Sequence, residues 1–304
     1  MKQQNNLIKS SFMLQDTIHH TRAKFFASPL ASGLHSLCMD SCVDLNSDVA
    51  PEGALDIAFF DAIGFGTVVD SLSAIKTLVF EQKRLSMKEL LEALDCNFEG
   101  KEDIQALLQG APSFGNGDLE VDTLGRMLEK SALDFTARYA GKNGVQPLEI
   151  RTTSVTANVP HGKFVGATPN GRKAWMPLSD GSSPSHGSDR NGPTAVLLSQ
   201  YQSTNWNAAN RACRLLNMKM APKTVEGEEG TKKLVDLIRA FINLRVWHLQ
   251  MNIINRETLV AAQKDPQKYK NLVVRIAGYS AYFVDLSPDL QNDLIDRTEQ
   301  ENCD

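Results

Sequence analysis

Apolar residues recur every three or four positions along much of the first half of the chain, a spacing typical of helices. The predicted helices cover residues 7–26, 67–82, 87–97, 101–109 and 121–139. A capping box, Ser-Met-Lys-Glu at residues 86–89, places the start of the third helix at Met87. The second and third helices are expected to bury an apolar stripe made of Val68, Val69, Leu72, Ile75, Leu78, Val79, Leu90, Leu91 and Leu94.

The pattern changes after Gly141. Residues 148–159 combine threonines with β-branched residues, which predicts a strand. Dense glycine and proline turn signals follow up to Gly192 and indicate an internal boundary. Beyond it, helical patterns predict helices near residues 194–201 and 256–264.

Two short strands are predicted between and after these helices, at residues 248–253 and 272–276. A final helix is expected to be capped by the Ser-Pro pair at residues 287–288. Strands that alternate with helices of these lengths predict an α/β fold.

The strand at residues 248–253 alternates strictly between polar and apolar side chains. Its polar face carries His248, Gln250 and Asn252. Polar residues on a barrel strand commonly face the lumen, where substrates bind. The alternative is a solvent-facing edge strand.

Composition narrows the possible functions. The 304 residues carry a net charge of -4, so no basic surface indicates nucleic-acid binding. No apolar run approaches the roughly 20 residues of a membrane span, and the polar start lacks a signal-peptide core, which predicts a cytoplasmic protein. Five scattered cysteines and six histidines form no recognised ligand spacing, so neither a disulfide framework nor a metal site is predicted.

Gly278 follows the short β-branched run at residues 273–276. Taken alone it is a turn glycine. However, the RIAGY sequence at residues 275–279 resembles the RVxGY signature of glycyl radical enzymes, the superfamily of pyruvate formate-lyase. Other blocks resemble the family in the same order, and are closer to its glycerol, choline and hydroxyproline dehydratase and lyase branch: residues 70–76, 166–174, 180–185, 191–195, 216–219, 248–252 and 294–299.

The resemblance implies a partial barrel, the second half of a ten-stranded α/β barrel, over residues 1–180 and a glycine radical domain over residues 181–304. It implies that Gly278 stores the radical and that Arg275 and Tyr279 frame the loop. It further implies a radical lyase or dehydratase with a small organic substrate. No bound cofactor is implied, because an activating enzyme of the radical S-adenosylmethionine kind installs the radical.

One departure from the family concerns the second radical carrier. Members of the family hold a thiyl cysteine in a Gly-Cys-Val-Glu type motif, and this chain has no such motif. Cys38 and Cys42 are both followed two positions later by aspartate rather than glutamate. The chain therefore resembles the C-terminal half of an enzyme that needs a partner, either a separate N-terminal half or a second copy of itself.

Two other interpretations remain open. The chain could be a non-catalytic spare part that lends its radical domain to a damaged enzyme. It could also be a decayed pseudo-enzyme, because Arg245 and Val246 stand where relatives tend to carry two glycines.

Overall fold

The computed structural model describes residues 2–26, 33–46, 58–143, 148–208 and 210–300. Helices and strands are interspersed along these residues, as the sequence predicts for an α/β fold. The α-helices are α1 (Lys2–Phe26), α2 (Gly33–Leu37), α3 (Asp40–Leu45), α4 (Phe65–Ala74), α5 (Met87–Asp95), α6 (Glu102–Gln109), α7 (Leu119–Asn143), α8 (Asn158–Gly162), α9 (Gly192–Gln202), α10 (Gly227–Asn243), α11 (Arg256–Lys264) and α12 (Pro288–Asp296). A π-helix, Ile75–Glu81, continues α4, and 3₁₀ turns occupy Pro222–Val225 and Phe283–Asp285.

The described strands form three small sheets. The strands are β1 (Ala58–Asp61), β2 (Leu148–Thr152), β3 (Arg211–Arg214), β4 (Leu216–Met220), β5 (Leu249–Ile253), β6 (Val273–Arg275), β7 (Ser280–Tyr282) and β8 (Glu299–Gln300). The first sheet has the order β1-β2-β3, and the second has the order β5-β4-β8. In the second sheet β4 pairs in parallel with both neighbours. The third sheet is the antiparallel hairpin of β6 and β7.

The chain divides into two compact units. Unit 1 comprises Met1–Phe60, Lys130–Ile150 and Asn207–Arg211, and unit 2 comprises Asp61–Glu129, Arg151–Trp206 and Ala212–Asp304. Gly278 and the side chains that surround it belong to unit 2.

The parallel sheet of unit 2 has an apolar face and a polar face. Leu216, Met218 and Met220 of β4 pack into one cluster with Leu237 of α10. The intervening residues of β4, Asn217 and Lys219, lie in register with Gln250 and Asn252 of β5. Because side chains alternate along a strand, these four polar residues share the opposite face.

Several helices follow the sequence pattern closely. The capping box is confirmed, because Ser86 Oγ accepts a hydrogen bond from Glu89 N at 3.2 Å and the Glu89 carboxylate accepts one from Ser86 N at 2.8 Å. The helix predicted to begin after Asn255 is also confirmed, and the Asn255 side chain accepts from Thr258 N at 2.9 Å.

The structure corrects the strand predicted over residues 148–159. The strand ends at Thr152, and residues 158–162 form the short helix α8. Tertiary contacts override the local β propensity here, because Asn158 Nδ2 donates to Asp293 Oδ1 at 2.9 Å, far along the chain. Pro160 is compatible with a helix this short, since residues in a first turn need no backbone donor.

The apolar stripe is narrower than predicted. Val69, Leu78 and Leu90 are buried, whereas Leu91 is half exposed and Val68 and Leu72 are also accessible. The elements that pack against these helices cover a narrower face than the predicted apolar stripe, so the side chains at its edges remain exposed.

The last helix also differs from its prediction at the cap. Pro288 occupies the first turn as expected, but the Ser287 side chain makes no capping hydrogen bond. Ser287 contributes to the start of the helix through its backbone instead, because its carbonyl accepts hydrogen bonds from the amides of Leu290 and Gln291.

Asp70 gives unit 2 a pH-dependent contribution to stability. Its carboxylate lies on α4 and accepts hydrogen bonds from Phe114 N at 2.7 Å and Ser185 Oγ at 2.5 Å. Burial raises its pKa from 3.8 to about 7. The unfolded chain therefore loses this proton at lower pH than the folded chain does, so the free energy of unfolding falls as the pH rises from about 4 to about 7.

We expect Asp70→Asn to make this decline shallower, because asparagine cannot ionise. Burial also raises the pKa values of Asp122 and Asp189, so these two acids would still make the free energy of unfolding fall with rising pH in the variant. Urea unfolding at a series of pH values measures the effect, and Asp236→Asn on the surface serves as the control. An unchanged slope in Asp70→Asn would contradict the assignment.

Candidate functional site

Gly278 lies at the tip of the β6–β7 hairpin. The strands pair through Val273 with Tyr282 and Arg275 with Ser280. Between them, Ile276 N donates to Tyr279 O at 2.9 Å and closes the turn. Gly278 has a φ of +86°, in the left-handed region that residues with a side chain adopt only at a cost. The turn therefore explains a glycine at this position without any chemistry.

The hairpin is fixed from below by an apolar cluster. Val274, Ile276 and Phe283 are almost completely buried, and they pack with side chains from two helices: Leu259 and Ala262 of α11 and Leu294 and Ile295 of α12. Burial of one such side chain contributes about 1.5–3 kcal/mol. The base of the hairpin is consequently rigid, and Gly278 projects from it at an exposed position.

Two side chains from β5 hold the hairpin from the side. Gln250 Oε1 accepts a hydrogen bond from Gly278 N at 2.8 Å. Asn252 makes two bonds to Arg275, accepting from its amide at 2.8 Å and donating to its carbonyl at 2.7 Å. These are two of the three residues on the predicted polar face of the strand, and their partners are backbone groups of the hairpin.

A buried ion cluster lies beneath the loop. The guanidinium of Arg297 is 3.0 Å from Asp180 Oδ2 and 3.1 Å from Asp293 Oδ2, and it donates to Ile276 O at 3.3 Å. Burial opposes its charge, but Asp180 and Asp293 outweigh that effect and raise the pKa of Arg297. The cluster thus joins Ile276, at the start of the hairpin turn, to Asp180, which lies much earlier in the chain.

Asp180 is satisfied on all sides. Besides Arg297, it accepts hydrogen bonds from Ser154 Oγ and from Asn217 Nδ2 of β4. Lys219, also on β4, donates to Ile295 O at 2.9 Å, and burial lowers its pKa to about 8. The polar face of β4 is thereby used for internal hydrogen bonds.

The remaining residues singled out from the sequence lie around the loop. Arg275 is exposed and donates from Nη1 to Ser280 Oγ at 3.1 Å, and Tyr279 is partly exposed. His248 precedes β5 and is half-buried. Burial and the charge of Arg275 lower the pKa of His248, which favours a neutral imidazole at pH 7.

Gly278 has open space on the side where a side chain would stand. A Cβ added there would meet no atom within 4 Å. The constraint on this position is therefore the backbone conformation and not close packing.

The cysteines fall in different parts of the chain. Cys38 is exposed and Cys42 buried, and both belong to unit 1, whereas Cys96 and Cys213 are half-buried. Cys303 lies outside the described residues. Within the described ranges, no three histidine, cysteine or acidic side chains are grouped so that they could hold a metal ion.

Comparison with known families decides the assignment. A family model described as pyruvate formate lyase-like matches residues 1–162, and one described as glycine radical matches residues 178–284. The chain belongs to the pyruvate formate lyase-like family. The family resemblance seen in the sequence is therefore confirmed.

The relatives of this pyruvate formate lyase-like chain are much longer than it is. Isethionate sulfite-lyase from Oleidesulfovibrio alaskensis is 55% identical over 98% of this chain and 36% of the relative. The enzyme of the same name from Bilophila wadsworthia is 56% identical over 96% and 35%, respectively. Trans-4-hydroxy-L-proline dehydratase from Clostridioides difficile is 38% identical over 93% and 35%. The chain thus spans about 36% of the length of its closely similar curated relatives.

Solved structures give the same fold. Hydroxyproline dehydratase from Clostridioides difficile, with trans-4-hydroxy-L-proline bound, superimposes with a TM-score of 0.87 at 34% identity over 97% of this chain and 37% of the other. A glycyl radical enzyme from Archaeoglobus fulgidus gives 0.84 at 33% identity over 98% and 37%. The predicted α/β fold of glycyl radical enzymes is confirmed. None of the described helices is long and apolar enough to cross a bilayer.

Sequence reasoning missed the cluster around Arg297 in this pyruvate formate lyase-like chain. Asp180 and Arg297 each lie in a block that resembled the family, residues 180–185 and 294–299, so a signal was present. It could not reveal that the two blocks meet, because their contact depends on the fold.

Proposed function

We propose that this chain is the radical-bearing portion of a glycyl radical lyase and that Gly278 stores the radical. The observation that carries the proposal is the position of Gly278, exposed at the tip of a braced hairpin with open space beside its α-carbon. The glycine radical family match over residues 178–284 supports it. We further propose residues 181–304 as the radical domain, with residues 1–180 contributing to the barrel.

The chemistry at Gly278 is a hydrogen-atom transfer. An activating enzyme of the radical S-adenosylmethionine kind supplies a radical that takes the hydrogen from the α-carbon. The C–H bond breaks homolytically, the hydrogen leaves with one electron, and the other electron stays on the α-carbon. The flanking amide nitrogen and carbonyl delocalise it. Arg275 and Tyr279 form the frame of the loop and take no part in the transfer.

The second radical carrier is proposed to lie in the part of the enzyme that the longer relatives have and this sequence does not cover. The chain lacks the Gly-Cys-Val-Glu motif, and a second copy of it would lack the motif as well. Val273, Tyr279 and Tyr282 expose large side chains on the hairpin, as expected of a surface that a further part of the enzyme covers. We therefore favour an N-terminal portion like that of the longer relatives over a homo-oligomer.

The substrate proposal follows the relatives. Relatives named isethionate sulfite-lyase are 54–56% identical to this chain, whereas the hydroxyproline dehydratase is 38% identical. We propose that the assembled enzyme releases sulfite from isethionate, and that it works in the cytoplasm. Residues His248, Gln250 and Asn252 would stand between the loop and the barrel lumen.

Electron paramagnetic resonance after anaerobic activation tests the radical assignment. The wild-type chain is expected to give a doublet, because one α-hydrogen remains on Gly278. Gly278→Ala should give none, and exposure to air should cleave only the wild-type backbone at residue 278. The added methyl meets no atom within 4 Å and strains only the left-handed backbone, so thermal unfolding should show a folded variant of slightly lower stability. Equal spectra from the wild-type chain and Gly278→Ala would contradict the proposal.

A further inference from the structure

Gln250 makes a contact with Gly278 that differs from all others around the loop. Its Oε1 accepts from the amide nitrogen of the proposed radical residue itself, at 2.8 Å. The side chain of Asn252, two positions along the same strand, makes its described hydrogen bonds to the backbone of Arg275. Asn252 therefore fixes the base of the loop, whereas Gln250 acts at its tip.

The environment of Gln250 fixes its orientation. The side chain is only 4% exposed, although Gly278 itself is exposed. A glutamine amide turned by 180° would present an NH₂ group to the Gly278 N–H, which places two donors against each other. The buried Nε2 has no hydrogen-bond partner in the described structure, so no other bond selects the orientation.

From this geometry we infer that Gln250 is a positioning residue that holds the plane of the Gly278 amide and polarises its nitrogen. The inference rests on the proposed function of Gly278. Full delocalisation requires the amide nitrogen, the α-carbon and the carbonyl to be coplanar, and the φ of +86° means that the carbonyl must turn into the plane of the amide when the radical forms. An acceptor on the N–H holds the amide in place during this change and pushes electron density toward the nitrogen, which places more of the unpaired spin there.

Amide exchange of the unactivated chain tests the geometry without any radical. In a chain labelled with ¹⁵N-glycine, the Gly278 signal is identified by its loss in Gly278→Ala. Gln250→Asn keeps the carboxamide but shortens its reach by one methylene, and Gln250→Met removes the acceptor. Both are expected to speed exchange at Gly278 about fivefold, the loss expected for one hydrogen bond.

The matched control is Gln200→Met. Gln200 is equally buried, at 2% exposure, and donates to Ser182 O at 2.6 Å without contacting the hairpin. It should leave exchange at Gly278 unchanged. Unchanged exchange in both Gln250 variants would overturn the inference. Unfolding of both while Gln200→Met folds would assign Gln250 a purely structural role and would also overturn it.

The activated chains then test the effect on the radical. The ¹⁴N hyperfine coupling of the Gly278 radical is expected to shift in Gln250→Asn and Gln250→Met and to stay constant in Gln200→Met. A wild-type doublet with the same coupling in all variants would overturn this inference and leave the proposed function intact. Absence of a doublet in the wild-type chain would overturn the proposed function and this inference with it.

Discussion

Arg297→Met is expected to lower the free energy of unfolding of the chain by about 3–5 kcal/mol, because it leaves buried carboxylates without their cation. Asp180 and Asp293 are only 2% and 1% exposed. Methionine fills a similar volume but supplies no charge and no donor for Ile276 O. Urea unfolding followed by circular dichroism measures the loss.

The control for this change is Arg239→Met. Arg239 is 3.0 Å from Asp236, but both side chains are about 70% exposed. Such a surface pair contributes less than about 1 kcal/mol. Arg297→Lys keeps the charge but loses the planar fork, so it should recover only part of the stability. If Arg297→Met were as stable as Arg239→Met, the cluster would not anchor the loop.

The second large effect concerns turnover. The activated chain alone is expected to release no sulfite from isethionate, because its sequence contains no thiyl-cysteine motif. Adding the part of the Oleidesulfovibrio alaskensis relative that this chain does not match is expected to bring turnover from zero to a measurable rate. Sulfite release under anaerobic conditions is the measurement.

The control for turnover is the same mixture with Gly278→Ala in this chain. It should bind the added polypeptide in size-exclusion chromatography and yet release no sulfite. Turnover by that mixture would contradict the radical role of Gly278. A wild-type chain that gives the doublet and binds the added polypeptide, but never releases sulfite, would favour the spare-part or pseudo-enzyme interpretation for this chain.

The sequence predicted those helices and strands correctly whose signal lies within a few neighbouring residues. The capping box at Ser86 and the alternating strand β5 were both readable, because each depends on residues a few positions apart. The predicted strand wrongly extended to residues 158 and 159, which belong to α8, because Asn158 of this helix bonds to Asp293 far along the chain. The exposure of Leu91 could not be predicted either, since it depends on which neighbours cover the helix.

The sequence by itself determined the family, the α/β fold and the glycine at residue 278, because these depend on motifs and periodicities within the chain. Only the tertiary structure decided what surrounds that glycine. Gln250 lies 28 positions before Gly278, and Asp180 lies 117 positions before Arg297. Contacts across such separations arise from the packing of strands and helices, and no local pattern encodes them. The sequence placed Gln250 on the polar face of a strand, and the structure showed that its side chain accepts a hydrogen bond from the Gly278 amide.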